Sequence, residues 1–186
     1  MKHLGIERAH AVGYSLGGII LAKLLTTHPE RFMSAVLGGA AYRRSQSKDA
    51  DLATEAAARE IEAGIYRALV VSTAPTDEPP PDEDLIQRRS REISRESDLR
   101  AHAALMRARR ALLVTDTEIA AVRVPTLAVV GAADPAAPRV KAMQKRWPGL
   151  EVMVVPEVTH PTVHARGLPR SPEFAAAIRR HIARQR

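Results

Sequence analysis

Cysteine is absent from this chain of 186 residues, and aromatic residues make up only 3% of it. Without cysteine there can be neither a disulfide framework nor a metal site built on thiolates. The few aromatic side chains do not alternate with arginines, as they do on surfaces that stack bases, so we expect no nucleic-acid partner. No apolar run has the length of a membrane span, and we therefore expect no membrane partner either.

Charged residues, in contrast, are plentiful, and the formal net charge is +7. The basic residues between positions 55 and 96 mostly alternate with acidic ones, which is typical of solvated helix faces. Lys2 and Arg8 precede an apolar segment, but Glu7 and Lys23 interrupt the pattern of a signal peptide, so we expect a cytoplasmic protein. The apolar content of 45% is enough for one domain with a hydrophobic core.

Short apolar runs alternate with helix-like segments along the chain. Strands are predicted at residues 9–12, 33–39, 124–131 and 150–155. Helices are predicted from the end of the first strand to about residue 28, and over residues 138–147 and 172–184. The first six residues are interpreted as the last turn of a helix that Gly5 closes. This alternation predicts an α/β fold with a doubly wound, mostly parallel sheet.

The segment 43–122 differs from the rest because it is charged, alanine-rich and helical in period. Helices are predicted over residues 50–72, 82–113 and 116–121. An acidic, proline-rich loop at residues 75–82 separates the first two of them. We interpret the whole segment as a helical insertion that lies over the sheet.

The most informative motif is Gly13-Tyr14-Ser15-Leu16-Gly17-Gly18, which joins the first predicted strand to an apolar helix. Gly-x-Ser-x-Gly between a strand and a helix is typical of a nucleophile elbow, a strained turn that exposes the serine hydroxyl at its apex. Glycines are expected at positions 13 and 17 because side chains there would collide with the neighbouring helix and strand. The alternative interpretation of Ser15 is a tight structural turn without chemistry.

A nucleophilic serine needs a base, and the base needs an acid that orients it. Asp134 follows the predicted strand 124–131, and His160 follows the strand 150–155. Catalytic groups of parallel sheets gather at these strand ends. Asp116 is a rival acid and His164 a rival base, and Asp134 could instead belong only to a turn. The remaining histidines are expected to be structural or exposed: His3, His10, His28, His102 and His181.

With its elbow motif, its acid segment from Val124 to Asp134 and His160 before the last helix, the chain resembles the α/β-hydrolase fold family of serine hydrolases with a helical cap. The resemblance implies a core formed by residues 1–42 and 123–186 and a cap formed by residues 43–122. It also implies that Ser15 attacks a carbonyl, His160 moves the proton and Asp134 orients the imidazole, while the Leu16 N–H receives oxyanion charge. Serine at the elbow argues against the dehalogenases and epoxide hydrolases of this fold, which use aspartate there.

The activity that the resemblance implies is hydrolysis of a carboxylic ester or a related acyl compound, such as a lactone or thioester, without a metal or another cofactor. The alternatives are a catalytically impaired hydrolase fragment, a non-catalytic interaction protein, and an acyltransferase or cofactor-free haloperoxidase-type activity. The family has early strands and a second oxyanion donor upstream of the elbow, so the resemblance implies an N-terminally truncated hydrolase. The first strand would then expose an edge, through which a homodimer could form.

Overall fold

The computed structural model describes residues 1–44, 47–161 and 166–185. Its centre is a sheet of four parallel strands in the order β1-β2-β3-β4. The strands are β1 (Ala9–Tyr14), β2 (Phe32–Gly38), β3 (Thr126–Gly131) and β4 (Leu150–Val155). Every strand predicted from the sequence is present with bounds that differ by at most two residues, and the predicted parallel α/β fold is confirmed.

Helices cover both faces of the sheet. Helices α1 (Leu16–Thr27) and α7 (Ala137–Met143) pack on one face, and α8 (Pro172–Ala183) packs on the other. Along β3 the side chains alternate between the two layers, with Val130 in the cluster of α1 and Val129 in the cluster of α8. A strand covered in this way is buried along its whole length, which explains its continuous apolar sequence. The doubly wound arrangement is thereby confirmed.

Between β2 and β3 the described residues form five further α-helices. They are α2 (Lys48–Glu62), α3 (Arg67–Thr73), α4 (Glu83–Arg95), α5 (Leu99–Ala108) and α6 (Asp116–Ala120). Helices α2 and α5 and their neighbours share an apolar cluster of their own, built on Ala58, Ile61, Tyr66 and Ala103. The charged guanidinium of Arg107 on α5 ties these helices together through Glu55 and Glu62 on α2, at N–O distances of 2.9 and 2.6 Å.

Two of the helices predicted for this segment are wrong in their extent, because each is two helices in the structure. The predicted helix 50–72 is interrupted after α2, where Gly64 takes a left-handed conformation with φ of 78°. The predicted helix 82–113 is interrupted before Leu99, where the carboxylate of Asp98 accepts a hydrogen bond from the Ala101 N–H and starts α5. The predicted helix 82–113 also extends too far, since residues Arg109–Leu112 form a 3₁₀ turn. The opening segment is likewise a 3₁₀ turn, Lys2–Leu4.

Strand β1 lies at one end of the sheet and, among the described residues, pairs only with β2. Val12 is 48% exposed although Val36, its partner on β2, is fully buried. The predicted homodimer through this edge stays a prediction. None of the helices in the described part of the chain is both long and apolar enough to cross a membrane.

Candidate functional site

The turn at Ser15 joins β1 to α1 with an unusual backbone. Ser15 has φ of 50° and ψ of −116°, a sparsely populated region that costs about 1–3 kcal/mol when a non-glycine residue occupies it. Its N–H donates to the Gly38 carbonyl at 2.8 Å, and its carbonyl accepts from the N–H groups of Gly18 and Ile19. Within the described structure the Ser15 hydroxyl does not cap α1. The hydroxyl is therefore available to a partner above the sheet.

Close packing at this turn requires glycine at positions 13 and 18. A Cβ atom on Gly13 would lie 2.6 Å from the carbonyl carbon of Gly17, and one on Gly18 would lie 2.6 Å from the Cβ of Ala40. A Cβ atom on Gly17 would meet nothing within 4 Å among the residues that the structure describes. The steric expectation is thus confirmed for Gly13 and wrong for Gly17, because the close approach occurs one residue later.

Asp134 lies in the tight turn that follows β3. Its N–H donates to the Gly131 carbonyl at 3.2 Å, and its Oδ1 accepts a hydrogen bond from the Ala136 N–H at 2.7 Å. The carboxylate is 1% exposed, so these contacts hold it in one orientation. Its other oxygen, Oδ2, faces the loop after β4.

The loop that carries His160 is held against the Asp134 turn by backbone hydrogen bonds. The Ala133 N–H donates to the Val158 carbonyl at 3.0 Å, and Thr159 forms a short parallel bridge with Gly167. The Tyr14 hydroxyl donates to the His160 carbonyl. Burial, followed by the negative charge of Asp134, raises the pKa of Tyr14, so the hydroxyl stays protonated and remains a donor.

The structure brings Ser15, His160 and Asp134 into one hydrogen-bonded series. His160 Nε2 lies 2.9 Å from Ser15 Oγ, and His160 Nδ1 lies 2.8 Å from Asp134 Oδ2. Gly39 permits this approach, because a Cβ atom there would lie 3.1 Å from Nδ1 and 3.2 Å from Oδ2. A hydroxyl bonded to an imidazole that is itself bonded to a carboxylate can pass its proton to the ring as it attacks an electrophile.

The rival acid does not enter this series among the described residues. Asp116 instead accepts hydrogen bonds from the Tyr42 hydroxyl at 2.9 Å, from Arg44 at 2.7 Å and from Arg146 at 3.0 Å. His164 lies outside the residues that the structure describes.

The other histidines mostly fit the structural or exposed roles expected of them. His3 and His28 are exposed, His10 Nδ1 lies 2.8 Å from the hydroxyl of Ser34, and His181 is fully buried. His102 is different, because it lines the cavity beside the site and shares a hydrogen bond of 2.8 Å with the Tyr66 hydroxyl. No motif or periodicity in the sequence predicts that His102 lines the cavity.

A cavity of about 880 Å³ lies above Ser15 and His160. Helices α2, α3 and α5 and the turn after α5 form its far wall, with Ile61, Leu69, Met106 and Arg109 among the lining residues. Leu16 also lines it at the first position of α1, where a backbone N–H has no acceptor within the helix. The sequence predicts that this segment lies over the sheet, but it does not identify the individual residues of the far wall, because these depend on tertiary packing.

The comparisons with known proteins agree with this architecture. A family model described as the alpha/beta hydrolase fold matches residues 1–164 of the chain. Among solved structures, a thermophilic esterase from Thermogutta terrifontis gives a TM-score of 0.74 at 17% identity, over 99% of this chain and 68% of that one. MGS-M2, an alpha/beta hydrolase enzyme from a Medee basin deep-sea metagenome library, gives 0.71 at 15% identity, over 98% and 67%.

A third similar structure comes from work on carboxylesterases of the thaumarchaeon Nitrososphaera gargenis. It gives a TM-score of 0.68 at 19% identity, over 99% of this chain and 68% of that one. The chain thus spans about two thirds of the length of each of these structures. No curated protein matches it. At such low identities the likeness to solved structures shows the fold alone.

Proposed function

The chain belongs to the α/β hydrolase fold family, and on this basis we propose that it is a serine hydrolase of carboxylic esters or related acyl compounds such as lactones or thioesters. The observation that carries the proposal is the series Ser15 Oγ, His160 and Asp134, with hydrogen bonds of 2.9 and 2.8 Å. The three residues follow three different strands in the chain order serine, acid, histidine, which is the order of this family.

The proposed reaction begins when Ser15 Oγ attacks the acyl carbonyl and His160 Nε2 takes the hydroxyl proton. Asp134 holds the Nδ1–H and stabilises the imidazolium that forms, without taking the proton itself. The imidazolium then protonates the leaving alcohol as the bond from the carbonyl carbon breaks, which leaves an acyl-enzyme. A water molecule activated by His160 hydrolyses the acyl-enzyme and restores Ser15.

Negative charge develops on the carbonyl oxygen during the attack, and a backbone donor must receive it. We assign this role to the Leu16 N–H, which follows the nucleophile and lies at the N-terminus of α1. A helix N-terminus presents unsatisfied N–H groups and a partial positive charge, so it stabilises an oxyanion at this place.

The helices of segment 43–122 would then form a cap over the acyl pocket. Support for this part comes from the far wall of the cavity, which α2, α3 and α5 contribute. Apolar lining residues such as Leu69 and Met106 suit the hydrocarbon part of an acyl chain.

Turnover of short 4-nitrophenyl esters tests the proposal. We expect hydrolysis by the chain, and a loss of roughly a thousandfold or more in kcat for Ser15→Ala, because the nucleophile is removed. Ser72→Ala is the matched control, since Ser72 lines the same cavity but lies on α3. A folded chain without activity towards any ester would instead support a non-catalytic interaction protein.

A further inference from the structure

The cavity over Ser15 has an excess of positive charge. Five arginines are among its lining residues: Arg43, Arg44, Arg109, Arg139 and Arg146. The only carboxylate among the described lining residues is Asp134, which is already bound to His160 and to the Ala136 N–H. A guanidinium that is partly buried needs a counter-charge, and among these arginines Arg43 and Arg109 are partly buried while Arg139 is exposed.

Arg44 and Arg146 share a structural counter-charge. Arg44 binds Asp116 through two nitrogens at 2.8 and 2.7 Å, and Arg146 Nε binds the same carboxylate at 3.0 Å. These contacts hold the segment after β2 and the end of α7 to α6. They account for Arg44 and Arg146 without a ligand.

The other three arginines come together from distant parts of the chain. Arg43 follows β2, Arg109 begins the 3₁₀ turn after α5, and Arg139 lies on α7. We call Arg43, Arg109 and Arg139 the arginine cluster. Burial and repulsion by Arg43 and Arg139 lower the pKa of Arg109, and burial and repulsion by Arg139 lower the pKa of Arg43. Arg43 and Arg139 thus lie close enough to Arg109 to disfavour its charged form.

Arg109 and Arg139 have no carboxylate within ion-pair distance in the described part of the chain. The Arg109 Nε is buried and lacks a hydrogen-bond partner among those residues, while its Nη1 contacts only the sulfur of Met106, at 3.2 Å. A guanidinium fork of this kind matches a carboxylate, which accepts two parallel hydrogen bonds from it.

We propose that the arginine cluster binds a carboxylate of the substrate, so that the chain hydrolyses monoesters of dicarboxylic acids. The placement of the ester group at Ser15 rests on the hydrolase function proposed above. The substrate would place its ester carbonyl at Ser15 and its free carboxylate at Arg109 and Arg139, with Arg43 adding charge. A neutral diester would offer no carboxylate to Arg109 and Arg139 and would bind less tightly.

Binding to the Ser15→Ala variant tests this assignment without requiring turnover. The probes are the monoethyl esters of succinate, glutarate and adipate, each compared by calorimetry with its diethyl ester. We expect at least one monoester to bind roughly tenfold or more tightly than its diester, since a charged hydrogen bond is gained. Arg109→Gln and Arg139→Gln, each made in the Ser15→Ala background, should remove this preference.

Arg179→Gln in the same background is the matched control, because Arg179 is exposed on α8 and lies outside the cavity lining. It should keep the preference, which would show that local rather than overall charge is responsible.

The assignment is overturned if every diester binds as tightly as its monoester, or if Arg109→Gln and Arg139→Gln retain the preference. A monoester preference in a chain that hydrolyses no ester would support the carboxylate site and reject the hydrolase function. Hydrolysis of both ester types without a binding preference would support the hydrolase function and reject the carboxylate site.

Discussion

The backbone conformation of Ser15 depends on its neighbours. Its φ of 50° is unfavourable for a residue with a Cβ atom, and the hydrogen bond from its N–H to Gly38 helps to hold it. Gly13 lets the first turn of α1 approach β1 closely, because a Cβ atom there would lie 2.6 Å from the carbonyl carbon of Gly17. Close packing therefore requires glycine at position 13 of the motif, whereas glycine at position 17 is only tolerated.

Alanine substitutions at Gly13 and Gly17 should have opposite effects. Gly13→Ala would force a Cβ atom to within 2.6 Å of a backbone carbon, so we expect destabilisation of about 1–3 kcal/mol. Gly17→Ala meets no steric obstacle in the described structure and lies in α1, so we expect stabilisation of about 0.4–1 kcal/mol. Chemical denaturation of the two variants measures both values. Equal changes in the two would contradict the assignment of Gly13 as the sterically required residue.

The carboxylate at position 134 should matter more for turnover than the one at position 116. Asp134→Asn keeps an acceptor for the Ala136 N–H but favours the wrong tautomer of His160, so we expect kcat to fall by about 10⁴. Among the described residues Asp116→Asn changes contacts to Tyr42, Arg44 and Arg146 alone, and kcat should stay within a few-fold. Ester hydrolysis by both variants decides between the two acids, and a larger loss in Asp116→Asn would reverse the assignment.

The sequence pattern placed Ser15, Asp134 and His160 at one edge of the sheet because each lies in the turn or loop after a strand with a strong apolar signal. It could not place Arg109 or His102 at the cavity, because both lie in a helical segment whose packing is not encoded in any local pattern. The contact of the Tyr14 hydroxyl with the His160 carbonyl also escaped prediction, since it joins residues 146 positions apart.

Among the structural elements, the proline-rich loop at residues 75–82 contacts both loops that carry the acid and the base. Its Thr76 N–H donates to the Ala133 carbonyl at 3.0 Å, next to Asp134. Arg166, just after the loop of His160, binds Asp77 at 2.7 Å and Glu78 at 2.6 Å. The helical segment is thus attached to the loops that position the site.

Loss of the Arg166 ion pairs should impair activity with little change in stability. Exposed ion pairs contribute little to the free energy of unfolding, but a small displacement of His160 weakens its alignment with Ser15. For Arg166→Gln we expect kcat/KM to fall about three- to tenfold with an unchanged melting temperature. Arg184→Gln is the control, because it breaks an equally short pair with Glu151 far from the site. Equal kcat/KM values for the two variants would exclude a positioning role for Arg166.

The bounds of the strands were predicted from the sequence more accurately than the bounds of the helices. Continuous apolar runs marked β3 and β4 almost residue by residue. The breaks at Gly64 and Asp98 were missed, because one glycine or one cap within an alanine-rich, charged stretch does not interrupt the helical period. The parallel order of the sheet followed from the alternation of the elements.

For the whole molecule, the end of the sheet at β1 predicts self-association. Val12 is 48% exposed on this strand, and an unpaired strand edge favours pairing with another chain. We expect light scattering to detect a dimer whose population rises with protein concentration. Val12→Lys should weaken the dimer by adding charge beside the edge, while Val71→Lys, at a residue 51% exposed on α3, should not. A wild-type monomer at every concentration would contradict this expectation.

The rate at which a fluorophosphonate labels the chain covalently tests whether His160 activates Ser15. Mass spectrometry of the intact chain and its peptides reports how fast the adduct forms and which residue carries it. We expect one adduct on Ser15, formed roughly a thousandfold more slowly in His160→Gln because the 2.9 Å contact with Ser15 Oγ is lost. Labelling of His160→Gln at the wild-type rate, or an adduct on another residue, would contradict this prediction.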